Sequence, residues 1–286
     1  MSHSPATSEY IDEQGCYRID QGDTRFECTA KDSGRIVTFS HGGKNILTGP
    51  SVNPFNFGST FWTGPQSDWD WPPPKEIDSD TPFAATLTGE IIELKGPPCP
   101  ALGVQITKRY SAVPDKQAFK LEYEIKNITD KPVTYAPWEI SRVGPGGLTF
   151  FPTGNGAIAP VFQEPLPVEE TDGITWFTHS KNTVPGQHKL FADGAEGWIA
   201  HVDGDLLFIK TFKDHPMSAT APGEAEIEIY AVPEYVEVEQ QGSYREIPVE
   251  ERHVWCVHWR LIQLAESVSK TAGNSALVAA VRKILG

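Results

Sequence analysis

The spacing of glycine and proline is the feature of this sequence that most restricts its fold. The chain has 286 residues, and its 25 glycines and 24 prolines are spread along the whole length. Because both residue types interrupt regular structure, they divide the chain into segments too short for a helical protein of this size. Short segments between turn-forming residues are typical of β-strands. The sequence therefore predicts an all-β protein.

Many of these segments alternate apolar and polar side chains, as a strand with one buried face requires. In the segment Phe119–Lys126, the side chains of Phe119, Leu121, Tyr123 and Ile125 share one face, and charged side chains occupy the other. We expect at least ten strands in total. Further strands are predicted by similar patterns at Arg25–Ala30, Arg35–Ser40, Thr86–Leu94, Val104–Tyr110, Trp198–Val202, Leu206–Phe212, Glu226–Ala231 and Tyr235–Gln241.

The C-terminal part of the chain combines a long strand with one helix. Arg252–Ile262 alternates, and its face carrying Trp255 and Trp259 is expected in the core. Only Asn274–Leu285 has helical spacing, so we predict a terminal helix that docks on a sheet. No internal repeat or linker divides the sequence. We therefore predict one domain, 1–286, with a core from about 17 to 264 that consists of two large packed antiparallel sheets.

The charge balance and composition exclude several classes of function. There are 24 Lys and Arg against 38 Asp and Glu, a net charge of −14, which disfavours binding to nucleic acid and to anionic membranes. No apolar run is long enough to span a bilayer, and the start of the chain has no signal-peptide pattern, so a cytoplasmic protein is expected. The sequence leaves open whether it is a monomer or a homodimer.

Motifs for metals and cofactors are missing from the sequence. The four cysteines have no Cys-x-x-Cys spacing and are expected to be reduced, although a Cys16–Cys28 bridge is an alternative in an oxidising compartment. There is no Walker loop, no dinucleotide fingerprint and no Gly-x-Ser-x-Gly elbow. We expect no cofactor and no metal; a metal site that uses Asp68, Asp70 or His258 is a weak alternative based on ligand type alone.

One segment, Asn53–Pro74, has no strand or helix period but contains three of the eight tryptophans. We call it the aromatic segment. Flat indole faces suit the C–H faces of sugar rings, and nearby amide and carboxylate groups can bind hydroxyls. The side chains with these properties are Trp62, Gln66, Asp68, Trp69, Asp70 and Trp71. An equally weighted alternative is that the tryptophans close one end of a β-sandwich.

Two strands carry carboxylates. In Tyr235–Gln241, Glu237, Glu239 and Gln241 share a face, and crowded like charges raise a carboxyl pKa toward the range of a general base. An acidic strand facing water has the same pattern. In the other strand, Trp138 and Arg142 lie on one face and Glu139 on the opposite one. Glu139 is a candidate functional carboxylate, or else a solvated carboxylate or the partner of an arginine.

Three stretches together resemble the galactose mutarotase-like (aldose 1-epimerase) superfamily. They are the opening hairpin at 33–47, the turn at Asn127–Val133 and the Val-Glu-Gln-Gln stretch at Val238–Gln241. The resemblance implies a β-supersandwich fold with a short C-terminal helix. It also implies that Glu239 is the catalytic base, which takes the proton of the anomeric hydroxyl while a histidine protonates the ring oxygen.

This sequence departs from the family pattern at both histidine positions. Where the histidines are expected, it has the tryptophan run Trp62–Trp71 and the pair Trp138-Glu139. It is therefore similar to a divergent branch of the superfamily that lacks the catalytic histidines. Glu139 could replace the missing acid if burial raised its pKa by several units.

These observations favour a carbohydrate-active protein, with epimerisation of a free sugar at the anomeric carbon as the leading hypothesis. Glu239 and Glu139 would be catalytic. The predicted substrate-binding residues are Trp62, Gln66, Asp68, Trp69, Trp71, Trp138, Arg142, Glu237 and Gln241.

Two alternatives stay open. The first is a non-catalytic carbohydrate-binding protein on the same fold, which needs only the aromatic side chains and agrees with the missing histidines. The second is a lyase or isomerase of an acidic sugar, with Tyr235 or Tyr244 as acid or base and Arg142, Arg245 or Arg252 binding the anion. The net charge weighs against a polyanionic substrate.

Overall fold

Strands supply nearly all of the regular structure in the computed structural model, which describes residues 6–11, 15–156, 158–162, 165–180, 184 and 186–286. The one α-helix among these residues is α1 (Ser275–Leu285). The strands are β1 (Thr7–Ile11), β2 (Cys16–Gln21), β3 (Thr24–Thr29), β4 (Arg35–His41), β5 (Lys44–Asn45), β6 (Ser59–Gly64), β7 (Ala84–Thr88), β8 (Ile91–Cys99), β9 (Val104–Val113), β10 (Ala118–Asn127), β11 (Val133–Val143), β12 (Leu148–Pro152), β13 (Ala159–Pro160), β14 (Val168–Thr171), β15 (Ile174–Thr178), β16 (His188–Ala192), β17 (Trp198–Asp203), β18 (Leu206–Thr211), β19 (Ile227–Val232), β20 (Tyr235–Gln241), β21 (Arg245–Ile247) and β22 (Arg252–Gln263).

The strands form two large antiparallel sheets. The first, which we call the site sheet, has the order β1-β2-β3-β4-β6-β11-β20-β19-β16-β13, with β5 paired to β4 and β21 to β11. The second, the opposite sheet, has the order β14-β15-β12-β17-β18-β22-β10-β9-β8-β7. The prediction of an all-β fold with two antiparallel sheets and a short C-terminal helix is confirmed.

Aromatic side chains fill the space between the sheets. Phe26 of the site sheet stacks on Phe119 of the opposite sheet with ring centroids 5.7 Å apart. The ring centroid of Phe39 in the site sheet lies 5.1 Å from that of Trp259 in the opposite sheet. Trp255 and Trp259 are both buried, as the alternation of β22 predicted. The period-two pattern therefore identified which face of each of these strands is in the core.

Two stretches differ from the prediction. The stretch Thr86–Leu94 is a hairpin of β7 and β8, because Gly89 takes a positive φ of 59° and turns the chain there. The residues Ser59–Gly64, predicted as irregular, form strand β6 between β4 and β11. All six residues of β6 are buried, so both of its faces are covered and its sequence shows no polar alternation.

The C-terminal helix packs on the outer face of the opposite sheet. The Asn274 side chain caps the N-terminus of this helix by accepting a hydrogen bond of 3.0 Å from the backbone N–H of Ala276. Leu277, Val278 and Val281 are buried in a second apolar cluster with Trp176 and other residues of that sheet. All four cysteines are free, so the alternative Cys16–Cys28 bridge is not formed. Among the described residues, no helix is long and apolar enough to cross a membrane.

Candidate functional site

Five neighbouring strands of the site sheet place polar and aromatic side chains on its outer face. Directly paired residues of antiparallel strands project to the same side of a sheet. Trp138 on β11 is paired with Trp62 on β6 and with Gln241 on β20. Glu239 on β20 is paired with Glu228 on β19. This register brings side chains from distant parts of the chain onto one surface.

A pocket of about 510 Å³ lies over this surface. Its volume is in the range of small-molecule binding sites. The aromatic segment and the strands β11, β16, β19 and β20 provide most of its walls. It is lined by Asn53, Asn56, Trp62, Gln66, Trp71, Trp138, Phe162, Gln187, Lys189, Tyr230, Val232, Glu234, Tyr235 and Glu237. We call it the site pocket.

Indole rings form one wall of the site pocket. The centroid of Trp62 lies 5.2 Å from that of Trp138 and 5.7 Å from that of Trp71, with the rings edge to face. Trp69 packs behind Trp62 at 5.8 Å, and its indole N–H donates to the Thr63 carbonyl. Such packing fixes the ring planes, so the aromatic surface exists before any ligand binds.

A lysine and two buried carboxylates lie at the base of the pocket. The ammonium of Lys189 is 2.6 Å from Glu228 and 3.3 Å from Glu239. Glu239 also accepts a hydrogen bond of 2.9 Å from the indole N–H of Trp138. Its other oxygen, Oε1, is buried and has no hydrogen-bond partner. Glu239 therefore lies directly beneath two side chains that line the pocket.

Burial and the short distances between their charged atoms determine the ionisation of Lys189, Glu228 and Glu239. Burial raises the pKa of Glu239 to about 7, against the opposing effect of Lys189. Burial also raises the pKa of Glu228 well above its usual range. Burial alone would lower the pKa of Lys189, but the carboxylates of Glu228 and Glu239 raise it. The lysine therefore stays a cation, and a proton can reside on the carboxylate pair near neutral pH.

Glu237 is the carboxylate of β20 that reaches the pocket wall. One of its oxygens accepts a hydrogen bond of 2.7 Å from the Arg142 Nε. Arg142 is fully buried, lies under Trp62 and donates also to the Thr60 hydroxyl at 3.1 Å. A fixed arginine thus holds Glu237 in one orientation and compensates its charge.

The structure brings together only part of the predicted binding set. Trp62, Gln66, Trp71, Trp138 and Glu237 line the site pocket. The remaining predicted residues lie outside its lining. Arg142 and Trp69 support lining residues from behind, Gln241 is buried between Glu224 and Glu228, Glu239 lies beneath the floor, and Asp68 and Asp70 are exposed.

Glu139 is the clearest correction. Its side chain points into the space between the two sheets, on the side of the site sheet that faces away from the pocket. There it forms an ion pair of 2.9 Å with Lys210 and accepts hydrogen bonds from Tyr123, Gln240 and Trp259. A carboxylate in this position cannot reach a ligand in the site pocket. The proposed role of Glu139 as a substitute acid is therefore wrong.

Three of the pocket residues that the sequence analysis missed lie on β16 and β19: Lys189, Tyr230 and Val232. The others are Asn53, Asn56, Phe162, Gln187 and Glu234. Lys189 and Tyr230 are paired across these strands, and Gln187 precedes β16. The pattern of β16 indicates a strand in which Lys189 and His188 alternate, but it does not identify the neighbouring strand. The usable signal was a lysine that immediately precedes the apolar residues Leu190–Ala192 of a short strand.

A second group of acids lies beside the site sheet. Glu226, just before β19, is fully buried; it accepts a hydrogen bond of 3.1 Å from the His215 N–H, and its Oε2 has no partner. Burial, with the nearby charges of Asp214 and Asp193, raises the pKa of Glu226 to about 8. The folded protein thus keeps a proton here that the unfolded chain releases above its ordinary pKa of 4.5.

We expect the free energy of unfolding to fall as the pH rises from about 5 to about 9, because the folded state binds more protons than the unfolded state over this interval. The stabilisation from protonated Glu226 is complete below pH 4.5 and is lost as the pH passes through about 8. Glu226→Gln should weaken this dependence and raise stability at pH 9 by about 1–3 kcal/mol relative to wild type. Urea unfolding of wild type and Glu226→Gln at several pH values measures the free energy of unfolding and its pH dependence.

The matched control for that measurement is Glu169→Gln, which neutralises an exposed carboxylate on β14 of the opposite sheet. It should leave the pH dependence unchanged. Equal slopes for wild type and Glu226→Gln would contradict the assignment of the proton to Glu226.

Among the described residues, no group of three or more histidine, cysteine, aspartate or glutamate side chains is arranged to hold a metal ion. The site pocket is lined by neutral polar, apolar and aromatic side chains, by the ion-paired Lys189 and Glu237, and by the exposed Glu234. Its geometry is suited to hydrogen bonding and ring stacking with an uncharged polar molecule.

Comparison with known proteins identifies the fold. A family model described as a domain of unknown function (DUF4380) matches residues 47–248. The comparison with curated proteins finds no match. The chain is similar in structure to a galactose mutarotase-like protein from Lactobacillus casei, with a TM-score of 0.59, 9% identity and coverage of 87% of this chain and 100% of the other.

Two further solved structures are similar. A galactose mutarotase related enzyme from Lactobacillus acidophilus has a TM-score of 0.57 and 8% identity, over 89% of this chain and 99% of that one. A TPR-domain containing protein from Parabacteroides distasonis has a TM-score of 0.63 and 14% identity; 90% of this chain is covered, but it spans only 49% of that protein. The fold is that of the galactose mutarotase-like proteins, as the sequence resemblance implied.

Proposed function

We propose that this chain, which belongs to the DUF4380 family, binds a neutral saccharide in the site pocket. The observation that carries the proposal is the pocket itself: the exposed indole of Trp71, packed against Trp62, and a carboxylate held by a buried arginine line one hollow. Trp71, which is 55% exposed, offers a surface for the C–H face of a sugar ring, and Glu237 can accept hydrogen bonds from its hydroxyls. Trp62 and Trp138, 3% and 1% exposed, support Trp71 from behind.

The charges around the pocket favour a neutral ligand over an acidic one. Lys189 is paired with Glu228 and Glu239, and Arg142 is paired with Glu237. Neither cation is therefore available to balance the charge of a uronic acid. This arrangement gives no support to the alternative of an acidic-sugar lyase or isomerase.

The other groups named for that alternative are also poorly placed. Arg245 and Arg252 are exposed and lie outside the pocket lining, as does Tyr244. Tyr235 does line the pocket, but burial raises its pKa to about 12, so it is a weak acid near neutral pH. The structural likeness to mutarotase-like proteins supports a carbohydrate ligand in general. Action in the cytoplasm as a monomer or homodimer stays a prediction from the sequence.

Saccharide binding can be tested by isothermal titration with neutral hexoses and pentoses, supported by tryptophan fluorescence. We expect Glu237→Gln to weaken binding about 10- to 100-fold, because a hydrogen bond to a charged group is worth about 1.5–3 kcal/mol. The glutamine oxygen can still accept from Arg142, but the buried guanidinium loses its counter-charge, so the variant should be less stable than wild type. Circular dichroism and thermal unfolding check that it is folded at the titration temperature.

Glu169→Gln, which removes an equal charge far from the pocket, should bind as wild type does. Equal affinity of wild type and Glu237→Gln would exclude Glu237 as a ligand-binding group. Absence of binding to every sugar tested would overturn the proposed function.

A second candidate function is epimerisation at the anomeric carbon, favoured by the position and pKa of Glu239. Burial raises the pKa of its carboxyl to about 7, one of its oxygens has no partner, and it contacts the pocket-lining side chains of Trp138 and Lys189. Because Glu239 is fully buried, a sugar hydroxyl would reach it only if one of these two side chains moved aside. In this reaction a base removes the anomeric hydroxyl proton, and the ring oxygen takes up a proton as its bond to the anomeric carbon breaks. The hydroxyl oxygen becomes the carbonyl oxygen of an open-chain aldehyde, which recloses on either face.

The pocket lining contains no histidine among the described residues. Lys189 would have to provide the hydrogen bond to the ring oxygen, and its raised pKa makes it a weak proton donor. Binding alone is therefore the first proposal, and epimerisation is the second.

A further inference from the structure

A second hollow lies beside the site pocket. It has a volume of about 490 Å³ and is bounded by the aromatic segment and by the acidic residues Asp32 and Asp80. We call it the side cleft. Asn56 and Trp71 line both the side cleft and the site pocket. The two hollows therefore adjoin, and one indole ring forms part of the boundary between them.

Two aromatic side chains of the side cleft are turned toward solvent. Phe55 is 80% exposed and Trp71 is 55% exposed. These are the highest exposed fractions of any large hydrophobic side chain in the described residues. Exposing large apolar side chains to water is energetically unfavourable, and adjacent exposed apolar side chains are typical of surfaces that contact another molecule.

The main chain that carries Phe55 is held firmly. The buried guanidinium of Arg35 donates to the carbonyl oxygens of Phe55 and Phe57 at 2.8 and 3.0 Å. The Asn53 side chain accepts from the N–H groups of Phe55 and Asn56, both at 3.0 Å. The exposure of the Phe55 ring is therefore not explained by a poorly anchored loop.

The same arginine connects the two hollows. Arg35 donates to one oxygen of Asp78 at 2.8 Å, and the other oxygen accepts from the Trp62 indole N–H at 2.7 Å. Arg35 and Asp78 line the side cleft, and Trp62 lines the site pocket. A buried hydrogen-bonded network thus fixes the relative positions of their walls.

We propose that the two hollows form one groove for an oligosaccharide. This inference rests on the proposed function, since it places one sugar unit in the site pocket and the following unit in the side cleft. The second unit would stack on Phe55 and Trp71, with hydroxyls directed at Asn56, Asp32 and Asp80.

A saccharide fits the side cleft better than a protein surface does. Polar and charged side chains line the cleft together with its two exposed rings, and the cleft adjoins the site pocket at Asn56 and Trp71. The lining of the side cleft contains three carboxylates, Asp32, Asp78 and Asp80, and two cations, Arg35 and Lys75. Arg35 already forms an ion pair with Asp78. A neutral chain of sugar units is therefore favoured over an acidic one.

The test is isothermal titration with matched series of mono-, di- and trisaccharides of glucose, galactose, mannose and xylose, in both anomeric linkages. In at least one series we expect a di- or trisaccharide to bind about 10-fold more tightly than the monosaccharide. Phe55→Ala should remove most of this gain and leave monosaccharide affinity unchanged. Tyr10→Ala, which removes another half-exposed aromatic ring on β1, should retain the gain.

The outcomes separate the two proposals. If monosaccharides bind and no series gains affinity with length, or if Phe55→Ala retains the gain, the groove is excluded and the pocket stands. If no saccharide binds, both proposals fail. If wild type dimerises in sedimentation and Phe55→Ala is a monomer, the exposed rings form a contact between copies and the groove is excluded.

Discussion

Lys210→Met is expected to lower the free energy of unfolding by about 3–5 kcal/mol, because it leaves a buried carboxylate without its counter-charge. Lys210 and Glu139 are both fully buried, and their charged atoms lie 2.9 Å apart between the sheets. Burial lowers the pKa of Lys210, and the adjacent Glu139 opposes that shift. Urea denaturation followed by tryptophan fluorescence measures the loss.

The double variant with Glu139→Gln provides the control. It removes both charges and keeps an amide that can contact Tyr123 and Trp259, the donors to Glu139 in wild type. We expect the double variant to be more stable than the sum of the two single effects predicts. Additive losses would show that the two groups do not interact, and a loss below about 1 kcal/mol for Lys210→Met would mean that the charge is solvated.

Glu239→Gln should lower anomeric exchange by about 10²- to 10⁴-fold if the chain is an epimerase, because it removes the group that accepts the proton. Sugar affinity should change by less than about threefold, since Glu239 does not line the pocket and glutamine can still accept from Trp138. Saturation-transfer NMR between the α and β anomers, with titration of the same sugars, measures both quantities.

Three results of that experiment are informative. Exchange by wild type that disappears in Glu239→Gln supports epimerisation. Wild-type binding without exchange identifies a binding protein and removes the enzymatic candidate. Exchange that persists in Glu239→Gln excludes Glu239 as the base and leaves Glu237 as the carboxylate to examine, because Glu237 reaches the pocket wall.

Alternation along single strands was the most informative part of the sequence. It assigned Glu237, Glu239 and Gln241 to one face of β20, and the register with β11 and β19 agrees. It also assigned Glu139 and Trp138 to opposite faces of β11. Including both residues in one site contradicted that alternation, and the structure places Glu139 between the sheets.

The remainder of the site depends on which strands are neighbours, and a single sequence carries little information about that. Strand β6 adjoins β11, and β16 adjoins β19, across long stretches of chain. Lys189 therefore meets Glu239 through a sheet order that its local sequence does not encode. The burial of both faces of β6 likewise removed the alternation by which strands are recognised.

The strand order of the site sheet also ties ligand binding to the integrity of the whole molecule. Residues of the pocket come from the first quarter of the chain, from its middle and from its last quarter, and they meet only after non-local pairings have formed. Such pairings form slowly during folding, and no short fragment can assemble them. A bound sugar would therefore stabilise the protein against global unfolding and not only against the fraying of one hairpin. Protection of the protein from proteolysis would extend to strands far from the ligand.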